Sequence, residues 1–182
     1  MTRLILLLAC GVMSTALCCA LDMTALTTTA QRVTREQYPD ADYVLVDDVT
    51  RTTYDTNGAG LTLSETCLKV LTEKGKHENR TLSFGYDIAY GSVIVERVEI
   101  VKPDGIIVPV DIAALSREMI DDAQMRMNIY DPNSKILHVS VPALDVGDLL
   151  YYRTRRIEFK PRMPRTWSDY SVFEATVPIL HA

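Results

Sequence analysis

The sequence predicts a mainly β domain, an antiparallel β-sandwich of the immunoglobulin-like class with one short helix or helical loop. Short runs rich in β-branched and aromatic residues recur along the chain, and most of them end at turns that contain Gly, Pro or Asp. Few segments show helical periodicity. A length of 182 residues with 47% hydrophobic content suits one globular domain.

The first twenty residues are predicted to be a signal peptide. Arg3 supplies a short positive region, residues 4–17 are apolar, and small residues precede a cleavage position after Ala20. We therefore expect export to the periplasm or the extracellular space.

Two alternatives would instead place the chain at a membrane. The uncharged residues 4–21 approach the roughly 18 residues that an anchor helix needs, so the signal could remain uncleaved. Cys10 follows Leu7-Leu8-Ala9, an order that resembles a lipidation site. Membrane association is expected only in these two cases.

Three parts of the chain follow from the predicted cleavage. They are a signal peptide at 1–20, a leader segment or short helix at 21–36, and the sandwich domain at 37–182. Whether the C-terminal strand of the sandwich is complete stays open at this stage.

The elements of the sandwich can be justified in chain order. Two strands at 41–46 and 49–54 are rich in Val, Tyr and Thr, and a glycine turn follows at 57–60. In residues 61–72 the apolar residues move from odd-numbered positions (Leu61, Leu63) to even-numbered positions (Leu68, Val70), and therefore to the other face of the strand. This change predicts a bulge or a transition from edge to core. The later strands are expected at 80–84, 93–102, 106–110, 137–141, 149–159 and 170–177.

Two of these segments carry distinct local signals. Pro103-Asp104-Gly105 between apolar runs predicts a β-hairpin, because Pro presets φ and Gly accepts the left-handed conformation. Leu115, Met119, Ala123 and Met127 recur every four residues, which predicts a short amphipathic helix or a collapsed loop whose methionines pack in the core.

The sequence offers no catalytic set and no cofactor or metal site. Cys67 lies within a predicted strand, where nothing lowers the pKa of a thiol, so we interpret it as structural. His77, His138 and His181 are too far apart in sequence for a known metal motif. No catalytic residue, cofactor or metal is predicted.

A basic and aromatic segment near the C-terminus is a candidate partner surface. Cations beside aromatic rings could bind an acidic peptide or a glycan, although the alternating faces of an ordinary strand explain the same pattern. The formal net charge of −5 argues against nucleic acid as a partner. The candidate surface residues are Tyr151, Arg153, Arg155, Arg165, Trp167 and Tyr170.

Four stretches carry a family resemblance: Tyr38-Pro39-Asp40-Ala41-Asp42, Pro103-Asp104-Gly105, Val141-Pro142-Ala143-Leu144-Asp145-Val146-Gly147-Asp148, and Phe173 with Pro178. Together they resemble the N-terminal domain of unknown function that precedes transglutaminase-like, papain-like cores in exported bacterial proteins. The resemblance implies a β-sandwich whose Cys, His and Asp belong to a later domain. It assigns no catalytic residue to this chain.

The leading hypothesis is a non-catalytic envelope domain that binds or positions a protein or glycan, normally with a transglutaminase-like core. The alternative is the N-terminal fragment of a transglutaminase-like cysteine protease or amidase whose catalytic half is absent. An independent carbohydrate-binding module would require Trp167 and Tyr170 to be exposed in one strip.

Overall fold

The computed structural model describes residues 21–120, 131–166 and 176–181. Within these ranges the chain forms eight strands and three short helices. In chain order they are α1 (Met23–Gln31), β1 (Tyr43–Tyr54), β2 (Gly60–Val70), α2 (Glu73–Asn79), β3 (Thr81–Asp87), β4 (Gly91–Val101), β5 (Ile107–Pro109), α3 (Ile112–Leu115), β6 (Ser116–Ile120), β7 (Ser134–Ser140) and β8 (Leu149–Glu158).

The strands form two antiparallel sheets. The large sheet has the order β1-β2-β8-β4-β5 and the small sheet has the order β3-β7-β6. Side chains from both sheets share one buried core, in which Leu68, Ile100 and Leu150 of the large sheet join Leu82 and Val139 of the small sheet. The predicted mainly β, antiparallel sandwich is confirmed, with more short helices than expected.

The first strand corrects one prediction from the sequence. The two strands expected at 41–46 and 49–54 are one continuous strand, β1, which pairs with β2 along its length. Its register shifts between Leu45 and Asp47, where β1 carries one extra residue. The β-bulge therefore lies in β1, opposite the place where the apolar parity of β2 changes.

Both faces of β2 are buried at that place. Leu68 and Val70 point into the core between the sheets, whereas Cys67 points to the outer face of the large sheet. Helix α1 covers this outer face with Leu26 and Ala30. The parity change thus marks the place where β2 passes under α1.

The capping of α1 explains why it begins and ends where it does. The Asp22 side chain accepts hydrogen bonds from the backbone N–H groups of Thr24 and Ala25 at its start. At its end, the Lys69 ammonium donates to the Ala30 carbonyl oxygen at 2.8 Å. The helix is therefore attached to β2 by a charged group as well as by apolar contacts.

The predicted hairpin is confirmed. Strands β4 and β5 are joined by a turn in which Gly105 has φ +88°. The Gly105 N–H donates to the Lys102 carbonyl at 2.8 Å, and the Ile106 carbonyl accepts from the Lys102 N–H at 2.8 Å.

The sequence predicted a short amphipathic helix or a collapsed loop from residue 113, and the structure has neither in the part that it describes. Only Ile112–Leu115 is helical, and Ser116–Ile120 is strand β6 at the edge of the small sheet. Met119 is 44% exposed, so it is not a core residue. Ala123 and Met127 lie outside the described residues.

The free edge of β1 is paired with the C-terminal segment. Leu45 bridges Ile179 in parallel, and the Leu180 N–H donates to the Leu45 carbonyl at 2.9 Å. His181 accepts a backbone hydrogen bond from Asp48 at 3.1 Å. Most of the strand predicted at 170–177 lies outside the described residues.

Candidate functional site

Cys67 is a structural residue. It is fully buried beneath α1, and burial raises the pKa of its thiol to about 12. A thiol with such a pKa stays protonated at neutral pH and cannot serve as a nucleophile. The described histidine His138 lies on β7 in the other sheet.

Within residues 21–120, 131–166 and 176–181, no cluster of His, Cys, Asp and Glu is arranged to hold a metal ion. In the same ranges no helix is long and apolar enough to cross a membrane.

The four residues of the predicted partner surface that the structure describes do not form one surface. Arg153 and Arg155 lie on the outer face of the large sheet, where both pair with Glu96 at 3.1 and 2.8 Å. Glu96 therefore compensates only part of their positive charge within the sheet. Glu96 is the extra residue of a β-bulge in β4.

The prediction that Tyr151 belongs to a partner surface is wrong. Tyr151 is 1% exposed beneath α1 and cannot contact a partner directly. Its hydroxyl donates to Glu65 Oε2 at 3.0 Å, and burial together with this carboxylate raises the pKa of Tyr151 to about 12. Sequence spacing could not reveal this burial, because the covering helix lies more than a hundred residues away in sequence.

Arg165 is exposed in a turn with φ 58°, and its N–H donates to the Asn57 carbonyl at 2.9 Å. It lies apart from the Arg153 and Arg155 pair. Trp167 and Tyr170 lie outside the described residues.

Other residues of the same basic segment do meet aromatic rings, in a cleft where the chain crosses from the small to the large sheet. The crossing turn joins β3 to β4, and its Asp87 side chain accepts from the Ala89 N–H at 2.9 Å. We name this place the tyrosine cleft. Its volume is about 390 Å³, and its lining is Gly85, Tyr86, Asp87, Tyr90, Gly91, Ser92, Ser134, Arg156, Ile157, Glu158 and Arg162.

Gly91 is required at the back of the cleft. A Cβ atom at this position would lie 2.5 Å from the Ile157 carbonyl oxygen, so only glycine lets β4 approach β8 here. The Tyr90 carbonyl accepts from the N–H groups of Phe159 and Lys160, both at 3.1 Å, which fixes the segment after β8 against the crossing turn.

Arg162, in the segment after β8, contacts the crossing turn. Its guanidinium carbon lies 4.3 Å from the centre of the Tyr90 ring, and its Nη2 atom lies 3.2 Å from Asp87 Oδ2. Lys160 approaches the same ring at 5.6 Å. The side chain of Arg162 is 68% exposed, so a ligand could displace or share these contacts.

Tyr86 and Arg156 also line the tyrosine cleft. The Tyr86 hydroxyl donates to Glu118 of β6, and desolvation with this carboxylate raises the pKa of Tyr86 to about 12. Arg156 donates to the Gly85 carbonyl at 2.9 Å. The tyrosine pair could have been noticed in the sequence as Gly85-Tyr86-Asp87 and Tyr90-Gly91, but their approach to Arg156 and Arg162 depends on sheet packing.

The family model for DUF3857, a domain of unknown function, matches residues 57–182. The match covers more than half of the chain. The chain belongs to the DUF3857 family. The resemblance to a domain of unknown function is thereby confirmed.

One solved structure with the same fold as this DUF3857 domain is a crystal structure described as a "putative protease" from Parabacteroides distasonis. The two share 15% identity at a TM-score of 0.59, over 66% of this chain and 24% of that one. The DUF3857 chain therefore spans about a quarter of that protein, and the likeness concerns the fold. No curated protein matches the sequence.

Proposed function

We propose that this DUF3857 chain is a non-catalytic domain of an exported protein that binds a glycan of the cell envelope in the tyrosine cleft. The observation that carries the proposal is the composition of the cleft. Two guanidinium groups, two carboxylates and two tyrosines line one concave space.

The charge balance of the lining favours a neutral ligand rich in hydroxyl groups. Arg156 and Arg162 balance Asp87 and Glu158, so neither a strongly acidic nor a strongly basic ligand is preferred. The same groups donate to and accept from hydroxyls, and a tyrosine ring offers an apolar face.

The size of the cleft supports a small ligand. Its volume of about 390 Å³ falls within the roughly 300–1,000 Å³ of small-molecule sites. A stable protein partner would need about 800 Å² of surface on this chain, which the cleft alone does not offer.

The test is a titration followed by NMR of the backbone amides, using a soluble peptidoglycan disaccharide and, separately, a short glutamate-rich peptide. We expect the disaccharide to shift signals of residues 85–91 and 156–162. Arg162→Ala should weaken binding by about tenfold, the effect of losing one charged hydrogen bond.

Arg117→Ala is the matched control, because it removes the same charge from an exposed position on β6. Binding of the peptide instead of the disaccharide would replace the glycan by a protein partner. If neither ligand moves these signals, the cleft is not a binding site.

A second candidate function has its own observation. Because the chain corresponds to only 24% of the structurally similar protein, it could be the N-terminal part of a transglutaminase-like cysteine protease or amidase. In that case the domain positions substrate for a catalytic core that follows it. Intact mass spectrometry of the product exported by the native host tests this: a product much heavier than 20.4 kDa supports the longer enzyme.

A further inference from the structure

The backbone at Leu21 lies against a buried carboxylate. The Leu21 nitrogen is 2.8 Å from Glu65 Oε2, and Glu65 is only 3% exposed. The side chains of Leu21 and Met23 pack on the cluster that holds α1 to the large sheet. This nitrogen is therefore held at a fixed place on the outer face of the sheet.

Two other groups contact the Glu65 carboxylate besides the Leu21 nitrogen. Tyr151 donates a neutral hydrogen bond to the same oxygen at 3.0 Å. Arg153 lies 3.9 Å from the other oxygen but is closer to Glu96, at 3.1 Å. A carboxylate that leaves water is costly unless a close opposite charge compensates it.

We infer that Leu21 is the first residue of the mature chain and that its α-ammonium group binds Glu65 as a buried ion pair. A signal peptidase adds water across the Ala20–Leu21 bond, giving Ala20 a carboxylate and Leu21 an amine. With an ordinary pKa of about 7.7–8.0 the amine takes up a proton at neutral pH.

The cleavage changes the chemistry of the Leu21 nitrogen. A peptide N–H has one donor and no charge, whereas the ammonium has three donors and a charge of +1. The ion pair fixes the leader segment and α1 on the sheet. Because the ammonium forms only when the signal peptide is cleaved, cleavage strengthens the attachment of α1. This inference does not depend on the tyrosine cleft or its ligand.

The first experiment determines the N-terminus of the exported protein by intact mass and N-terminal sequencing, and then measures acylation of its α-amino group. Only the unprotonated amine reacts. If Glu65 raises the pKa of the Leu21 amine by one unit, the wild type is labelled about tenfold more slowly than Glu65→Gln. Glu73→Gln, at an exposed position on α2, should label as slowly as the wild type.

A different first residue, or equal labelling in wild type and Glu65→Gln, would overturn the inference. Should Glu65→Gln not fold, a second comparison decides. A mature chain that begins one alanine before Leu21 keeps Glu65 but moves the ammonium away, and we expect it to melt about 3 °C or more lower. Equal melting temperatures would contradict the ion pair.

Discussion

At the scale of single residues, burial determines the chemistry that this chain can perform. Cys67, Glu65 and Tyr151 lie together beneath α1, and each would be a reactive or binding group if it were exposed. Desolvation raises the pKa of the thiol and of the phenol to about 12. Their position makes them parts of the core instead of parts of a site.

The thiol provides a direct test. With a pKa of about 12, on the order of one Cys67 in ten thousand is ionised at pH 8. We expect iodoacetamide to leave Cys67 unmodified in the folded protein for hours, as judged by peptide mass spectrometry. The same protein in denaturant is the control and should react fully. Rapid modification without denaturant would contradict the burial beneath α1.

A second prediction concerns Asp148, which is 1% exposed and accepts from the Lys102 ammonium and the Asp145 N–H, both at 2.7 Å. Asp148→Ala removes both charged hydrogen bonds. Because Lys102 stays partly exposed and can be rehydrated, we expect a loss of about 2–3 kcal/mol in the free energy of unfolding. Urea denaturation measures it, with the exposed Glu73→Ala as the control, which should change stability by less than about 0.5 kcal/mol.

At the scale of elements, short helices occur where capping and close packing outweigh weak intrinsic propensity. Helix α2 has seven residues and contains glycine, yet the Thr72 hydroxyl caps it by accepting from the Gly75 N–H at 3.0 Å. Gly75 itself lies against the Asp42 carbonyl, which also accepts from the N–H groups of Leu71 and Thr72.

This contact predicts whether the substitution Gly75→Ala raises or lowers the stability of the fold. Gly75→Ala should gain about 1 kcal/mol of helix propensity. Its Cβ would, however, lie 2.1 Å from the Asp42 carbonyl oxygen, and that oxygen is held by two hydrogen bonds. The clash costs about 1–3 kcal/mol or more, so we expect net destabilisation in thermal unfolding.

Gly85→Ala is the matched control, because a Cβ there meets nothing within 4 Å. It should leave the melting temperature nearly unchanged. A Gly75→Ala protein that is more stable than wild type would show that α2 can move away from Asp42.

These elements also show what the sequence could predict. The β4–β5 hairpin was predictable because Pro103, Asp104 and Gly105 determine the turn locally. Helix α2 was missed because its signal is a single cap and its close contact is with a distant segment. The four-residue recurrence of Leu115 and Met119 was misleading, since strand β6 begins immediately after a single helical turn.

The candidate site was less predictable than the fold, for the same reason. The basic segment was recognised, but the residues that meet in the tyrosine cleft come from four strands, β3, β4, β7 and β8, from the β3–β4 turn and from the segment after β8. Only sheet packing brings Arg162 to Tyr90 and Asp87. Arg153 and Arg155 lie on one face of β8 and instead pair with Glu96 at the bulge in β4. This bulge has no signal in the sequence.

At the scale of the whole molecule, the two edge strands of the large sheet, β1 and β5, are places where another chain could pair. An unpaired edge can recruit another chain, and the segment at 178–181 protects the edge of β1. Strand β5 at the opposite edge has only three residues, which makes it a poor template for pairing.

Leu180→Pro tests this protection. Proline cannot donate the hydrogen bond to the Leu45 carbonyl, so the segment should detach and expose the edge of β1. We expect dimers or larger species in size-exclusion chromatography with light scattering. Leu180→Ala keeps the N–H and should elute like the wild type. A monomeric Leu180→Pro protein would mean that other features protect this edge.

The strand order of the large sheet has a consequence for the timing of folding. Strand β8 is central in the sheet, between β2 and β4, but it is the last of the eight strands to be synthesised. Until residues 149–158 have left the ribosome, the β1–β2 and β4–β5 hairpins have no common partner. At roughly 5–20 residues per second, the nascent chain therefore spends several seconds without the central strand of its large sheet, a state that chaperones can bind.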